Sequence, residues 1–161
     1  MLKYFAIGLL LIVSSTIADE DMFSQPVDFK HLAAGANKGN MPIMVLFSSQ
    51  YCVYCEFIKR EYLSPMIRSG EYTDKTIISV VETDEEDEVQ DFNGKLIDVD
   101  TFTERYDIQF IPTVVFLDSR GKEISERIVG LGNEDYYGGV LDEGITASQA
   151  SINIRRKQVV Q

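Results

Sequence analysis

Two short apolar runs, "IMVLFSS" (43–49) and "TIISVVETD" (76–84), lack the alternation expected of a half-exposed strand. Each suits a strand buried on both faces, as in a parallel sheet. Between them "CEFIKREYL" changes to helical spacing, with Phe57, Ile58 and Tyr62 on the inward side. The "SP" at 64–65 reads as the cap and first position of a second short helix, or as a break in the first. Residues 43–84 therefore predict strand–helix–strand, with two cysteines at the top of the first strand where the helix begins.

The flanking segments extend this pattern. "VDFKHLAAGANKGNMP" (27–42) predicts a short amphipathic helix with Phe29, Leu32, Ala33 and Ala36 on one side, broken by Asn37 to Pro42. His31, the only histidine, has surface-type neighbours and reads as solvated. "ETDEEDEVQD" (82–91) holds seven acids and reads as a solvated insertion whose spacing matches no calcium loop. "FNGKLIDVD" continues that insertion as a loosely paired strand. "TFTERYDI" (101–108) predicts a short helix capped by Thr101. "TVVFLDSRGKEISERIVG" (113–130) predicts two antiparallel strands joined at Ser-Arg-Gly. "NEDYYGGVLDEGI" (133–145) predicts a last helix capped by Asn133 and weakened by Gly138 and Gly139. Beyond it, residues 148–161 are expected to form a flexible tail. A parallel pair, an antiparallel C-terminal hairpin and helices on both faces make an α/β three-layer sandwich with a mixed sheet.

Composition adds little to the fold but narrows the partners. The chain has 161 residues and a net charge of -11, enough for one domain with a sizeable core. The acidic surface argues against nucleic acid or an anionic membrane as a partner, since both need a basic patch. Residues 1–18, "MLKYFAIGLLLIVSSTIA", carry Lys3, then an apolar run from Tyr4 to Val13, then small and polar residues ending at Ala18. This is the three-part shape of a secretory signal peptide. The run is about half the roughly 20 residues that span a bilayer. No cysteine lies near the expected cleavage site, which argues against a lipoprotein. The domain is then expected over 19–147, in an oxidising compartment where a disulfide persists.

Export sharpens the question posed by "SSQYCVYCEF" (48–57), which contains both cysteines, Cys52 and Cys55. A disulfide closing so short a loop stabilises by only about 2 kcal/mol, a weak staple for a domain with its own core. A zinc site needs more ligands than two cysteines and a distant histidine supply. A redox dithiol fits best. Cys52 sits at a helix N-terminus, where unpaired N–H groups and the helix dipole favour a thiolate. The thiolate is the attacking species in disulfide exchange. Cys55, one turn further on, is placed to resolve the mixed disulfide.

With "FSSQYCVYC" and "YDIQFIPTVVFLDSRGKEISERIVG" (106–130) in hand, the sequence resembles the thioredoxin family over about residues 27–145. Cys-x-x-Cys after a buried strand and Ile111-Pro112-Thr113 before another carry the resemblance. The signal segment, "EYLSPMIRSGEY" and the acidic insertion look most like the secreted, sulfur-oxidation-associated thioredoxin-like proteins. The resemblance implies a thioredoxin-like fold and a cis Ile111–Pro112 bond beside the dithiol. It also implies that the backbone of Ile111 pairs with a substrate peptide. Tyr51, Val53, Tyr54, Ile111 and Pro112 would line the contact surface, Cys52 would attack and Cys55 resolve.

The departures are specific. Tyr51 stands where thioredoxins usually have Trp, and Val53-Tyr54 where they have Gly-Pro. Leu46 and Val80 occupy the positions of the family's buried Asp and accompanying Lys, so the usual proton relay is missing; Glu56 is one candidate substitute. No His or Lys between the cysteines stabilises the thiolate and Glu56 follows directly, with Lys59 and Arg60 partly opposing. The expectation is an exported thiol–disulfide oxidoreductase, biased towards reducing other secreted proteins, without a small-molecule cofactor or metal. A bacterial periplasm and a membrane-embedded thiol donor are implied. No dimerisation segment is visible, so a monomer is expected. The competing expectations are a thioredoxin-fold binding module without catalysis, or a dithiol oxidant or isomerase.

Overall fold

The computed structural model describes residues 22–23, 27–84 and 88–159; the expected signal peptide, residues 1–18, lies outside them. The chain runs through α1 (Phe29–Gly39), β1 (Ile43–Ser48), α2 (Val53–Ile58), a π-helical turn (Lys59–Leu63) and α3 (Ser64–Ser69). It continues through β2 (Ile77–Glu82), β3 (Glu88–Gln90), β4 (Leu96–Asp98), α4 (Val99–Arg105), β5 (Thr113–Leu117), β6 (Ile128–Val129), a 3-10 turn (Glu134–Tyr136) and α5 (Tyr137–Val159).

The main sheet has the order β2-β1-β5-β6. β1 pairs in parallel with β2 and antiparallel with β5, and β6 pairs antiparallel with β5. Successive residues of a strand point to opposite faces, and both faces of β1 and β5 are covered. Ile43, Val45, Phe47, Val115 and Leu117 join α1 and α4 in one core through Phe29 and Phe102. Met44, Leu46, Val114 and Phe116 join the α2–α3 segment and α5 in the other through Ile58, Leu63, Leu141 and Ile145. This is the expected three-layer sandwich, and it explains why β1 reads as continuously apolar. Gly144 belongs to the second core: a Cβ there would strike the Phe116 ring.

The helix carrying the cysteines does not break at "SP". It passes through the π turn, where Ser64 N–H donates to Lys59 O, and continues as α3. Pro65 supplies no N–H and its ring would crowd the carbonyl one turn back; the wider turn ahead of it relieves that clash. α1 also outlasts its breakers. It runs through Asn37 to Gly39 and ends when Asn40 adopts a left-handed φ of 55°, with its N–H on Ala36 O. His31 is exposed, and its backbone N–H is capped by Asp28.

Three expectations are corrected. The acidic insertion is not all solvated loop: Glu88–Gln90 pairs with Leu96–Asp98 as an antiparallel hairpin, and Val89 is fully buried. The N-cap position of α4 is Asp98, and Thr101 lies exposed within the helix. Of the expected tail, 148–161, residues 148–159 are helical, since α5 continues to Val159, and 160–161 lie outside the described residues. Ser148 is fully buried and bonds Ser125 and Gly144 O, Ile152 packs on the second core, and Arg155 pairs with Asp118. Polar side chains that look like tail composition in sequence find partners only after folding.

Two buried carboxylates close turns. Asp91 accepts from the N–H groups of Asn93 and Lys95 and from Arg105. Asp118 accepts from the N–H groups of Arg120 and Lys122. The Lys95 N–H, aided by Asn93 and Arg105, outweighs burial and holds the Asp91 carboxyl below the usual range. At Asp118 burial pulls upward, but the Lys122 and Arg120 donors win and the shift is again downward. A depressed folded pKa stabilises above the unfolded value of about 3.9 and is lost as pH falls through the folded value. Urea midpoints should therefore decline below about pH 4. Asp91→Asn should flatten that decline and cost about 1–3 kcal/mol at neutral pH. An unchanged acid limb in Asp91→Asn would remove this role.

Candidate active site

Cys52 ends the loop that leaves β1, in extended conformation at φ -93° and ψ 101°. It is the N-cap of α2. Its carbonyl accepts from Cys55 N–H and Glu56 N–H, and its Sγ accepts from Cys55 N–H at 3.2 Å. The helix N-terminus thus directs a donor at the sulfur that must carry negative charge. Cys52 and Cys55 are joined as a disulfide. Their exposures differ: Cys52 is half-buried, and Cys55 is fully buried. The accessible sulfur is the one open to an external disulfide.

The loop before Cys52 is pinned from β2. Thr83 donates from both N–H and Oγ1 to Ser48 O. Asp84 accepts from Ser49 Oγ at 2.8 Å and from Gln50 N–H, and Ser49 Oγ accepts from Tyr51 N–H. One acid of the acidic stretch therefore positions the redox loop. Sequence reading missed it because its partner lies far away in the chain.

The second motif arrives at the same end of the sheet. Thr113, the first residue of β5, is opposite Phe47 near the end of β1, so Pro112 and the Cys52 loop leave the sheet on the same edge. The Ile111–Pro112 bond is cis, the isomer that the resemblance implies. Pro112 is buried, its carbonyl accepts from Gly130 N–H, and Thr113 Oγ1 donates to Phe110 O. Ile111 remains exposed.

Apolar side chains crowd this edge without burial. Tyr51 is 89% exposed, Val53 79% and Tyr54 61%, flanking the disulfide. Phe110 at 71% and Val129, which sits opposite Thr113, extend the patch. Neither stands out in the sequence; Phe110 directly precedes Ile111, and that neighbourhood is its signal. Large apolar groups left in water at one edge are typical of a docking surface.

The two positions that hold the family's relay are apolar. Leu46 and Val80 lie opposite each other in the β1–β2 ladder, both buried. Lys59, one turn past Cys55, ion-pairs with Glu56 and, at 2.7 Å, with Glu82. Burial pulls the Lys59 ammonium down, but the two carboxylates outweigh it and hold the pKa above the ordinary lysine value. Among the described residues, no cluster of three or more His, Cys, Asp or Glu side chains could hold a metal.

Residues 29–145 match the family model of the thioredoxin-like domain. The chain belongs to the thioredoxin-like family. No curated relative matches it. Among solved structures it is similar to mitochondrial thioredoxin 3 from Saccharomyces cerevisiae in its oxidised form. That match has a TM-score of 0.52 at 17% identity, covering 78% of this chain and 95% of that one. It is also similar to oxidised thioredoxin O2 from Arabidopsis thaliana, with a TM-score of 0.50 at 20% identity, covering 73% and 91%. These likenesses show the thioredoxin fold. Together with the Cys52–Cys55 disulfide at a helix N-terminus, membership supports thiol–disulfide oxidoreductase chemistry.

Proposed function

We propose that this thioredoxin-like protein is exported, to the periplasm of a bacterium, and reduces disulfides of other secreted proteins. The observation that carries the reading is the asymmetry of the pair. Cys52 is accessible and capped by Cys55 N–H, while Cys55 is buried behind it. Reduced Cys52 attacks a substrate disulfide, forming a mixed disulfide and releasing one substrate thiol. Cys55 then attacks Cys52, reforming the internal disulfide and releasing the second thiol. Tyr51, Val53, Tyr54 and Phe110 supply apolar contact to a locally unfolded or flexible substrate, and the Ile111 backbone supplies an extended pairing edge.

The reducing direction is supported by charge. The intervening residues Val53 and Tyr54 bring no cation, and Lys59 is engaged by two carboxylates. A thiolate without added cationic stabilisation leaves the disulfide harder to reduce and the dithiol a better donor. In an oxidising compartment the protein needs re-reduction, for which a membrane-embedded dithiol donor is the fitting class. Among the described residues no helix is long and apolar enough to cross a membrane. The active unit is proposed to be a monomer without a small-molecule cofactor.

Equilibration with glutathione buffers provides the test. The potential should fall nearer the roughly -270 mV of a reducing dithiol than the roughly -120 mV of a strong dithiol oxidant. The reduced protein should also cleave a model protein disulfide with turnover when a thiol reductant is supplied. A potential at the oxidant end reverses the direction. Absence of exchange with either glutathione or protein disulfides leaves a binding module in place of an enzyme.

A further inference from the structure

Cys55 presents a chemical problem that the site above does not solve. It is fully buried. Apolar surroundings raise a thiol's pKa, yet only the thiolate attacks. In the mixed disulfide, Cys55 therefore needs somewhere to send its proton. The buried Leu46–Val80 rung of the β1–β2 ladder holds no ionisable group.

The next rung does. Ser48 and Glu82 lie two residues beyond Leu46 and Val80, so they share the same face of the sheet and stand opposite each other. Two residues of strand advance about 6.6 Å towards the end where the cysteine loop leaves. Both side chains are buried, at 0% and 7% exposure. Glu82 Oε1 is held by Lys59, whereas Glu82 Oε2 and Ser48 Oγ are buried with no hydrogen-bond partner. Buried polar atoms are rarely left unpaired without a reason.

Lys59 ties this rung to the cysteine. It follows Cys55 by one helical turn, its N–H donates to Cys55 O, and residues so spaced lie on one helix face. Helical side chains lean towards the N-terminus, so Lys59 reaches back over the turn holding Cys55. Among the described residues, the other charged or titratable groups on this side of the sheet include Glu56 from α2, which also pairs with Lys59, and Tyr62, Tyr72 and Tyr137, which pack in the second core. The Tyr137 hydroxyl is likewise buried and unpartnered. β5 contributes Val114 and Phe116 to that face.

We propose that Glu82, held in place by Lys59, accepts the proton of Cys55 during resolution. This rests on the dithiol reading above. In the step, the Cys55 S–H proton passes to the free carboxylate oxygen, and the Cys55 thiolate attacks Cys52 Sγ. The Cys52–Cys55 bond forms as the mixed disulfide breaks. The substrate sulfur leaves with the electron pair and is protonated from solvent; Glu82 later returns its proton to water. The two enzyme thiols are oxidised and the substrate disulfide is reduced.

The test separates proton transfer from packing. Glu82→Gln should slow resolution of a preformed mixed disulfide by about 10²-fold at neutral pH. It should simultaneously lower the apparent pKa of Cys55, because a neighbouring negative charge is gone. Glu82→Asp should restore most of the rate. A merely structural residue would not produce slower resolution together with an easier ionisation. Cys55 is titrated by alkylation in a Cys52→Ser background, which needs no substrate, so this readout stands even if the oxidoreductase reading fails. Should Glu82→Gln not fold, Lys59→Met replaces it: removing the cation that holds the carboxylate should also slow resolution. Wild-type resolution in whichever variant folds, or an unmoved Cys55 titration in Glu82→Gln, overturns the proposal.

Discussion

Cys52→Ser is expected to abolish disulfide exchange, to the level of a reaction without the protein, while leaving the fold intact. Cys52 is the half-buried N-cap, and a serine there is itself a strong N-cap, so the helix start survives. The closing disulfide contributes only about 2 kcal/mol for so short a loop. Cys55→Ala should behave differently: it retains the attacking sulfur and loses the resolving one, so mixed disulfides accumulate in place of turnover. Alanine is the better replacement there. A serine hydroxyl at a fully buried position lacking partners costs about 1–3 kcal/mol. Non-reducing gels after incubation with a protein disulfide separate the two. Trapping by Cys52→Ser with none by Cys55→Ala would reverse the order of attack.

Phe102→Ala is expected to cost about 3–5 kcal/mol of stability. The ring is fully buried between α4 and the sheet, stacked on Phe29 at 4.4 Å between centroids and edge-on to Tyr106 at 5.1 Å. Phe47 lies at 6.1 Å on the sheet side. Truncation removes the hub of an aromatic cluster that anchors α1, α4 and β1 together, and close-packed neighbours collapse only partly into the gap. A typical domain has roughly 5–15 kcal/mol in total, so the variant should unfold at far lower urea. Phe102→Leu should cost less than the alanine variant, because it leaves a smaller gap. A fall under about 1 kcal/mol for the alanine variant would show that this face re-packs freely.

Local pattern was informative where local physics decides the outcome. β1 and β2 were legible because strands covered on both faces need apolar residues at nearly every position. The dithiol was legible because a helix start after a buried strand is a short-range arrangement, and Cys-x-x-Cys marks it. The hairpin Thr113–Val129 announced itself through Gly121, which has a φ of 75° in the turn. The continuation of α5 was not legible. Its outer residues, such as Ser148, Gln149 and Arg155, are polar, and they belong to the fold through bonds to Ser125, Lys75 and Asp118. The acidic stretch looks uniform in sequence, but its members differ. Glu82 is buried and Asp84 clamps the redox loop, whereas Glu88 is exposed at the start of a short strand.

Sequence by itself determined the α/β layering and the position of the dithiol, through apolar periodicity and cysteine spacing, and it led to the Ile111-Pro112 motif. Those features depend on neighbours a few residues apart, whose relative placement the backbone dictates. Tertiary structure decided what surrounds the sulfur atoms. The β1–β2 register sets Glu82 against Ser48, the return of the helix brings Lys59 onto that carboxylate, and the β1–β5 register brings Pro112 to the edge where the Cys52 loop leaves the sheet. These contacts join residues from 23 to more than 60 positions apart, and they exist only once a packed core holds the strands in one register. The chemistry of a buried thiol depends on burial and on charges a few ångströms away, quantities that a linear sequence does not contain.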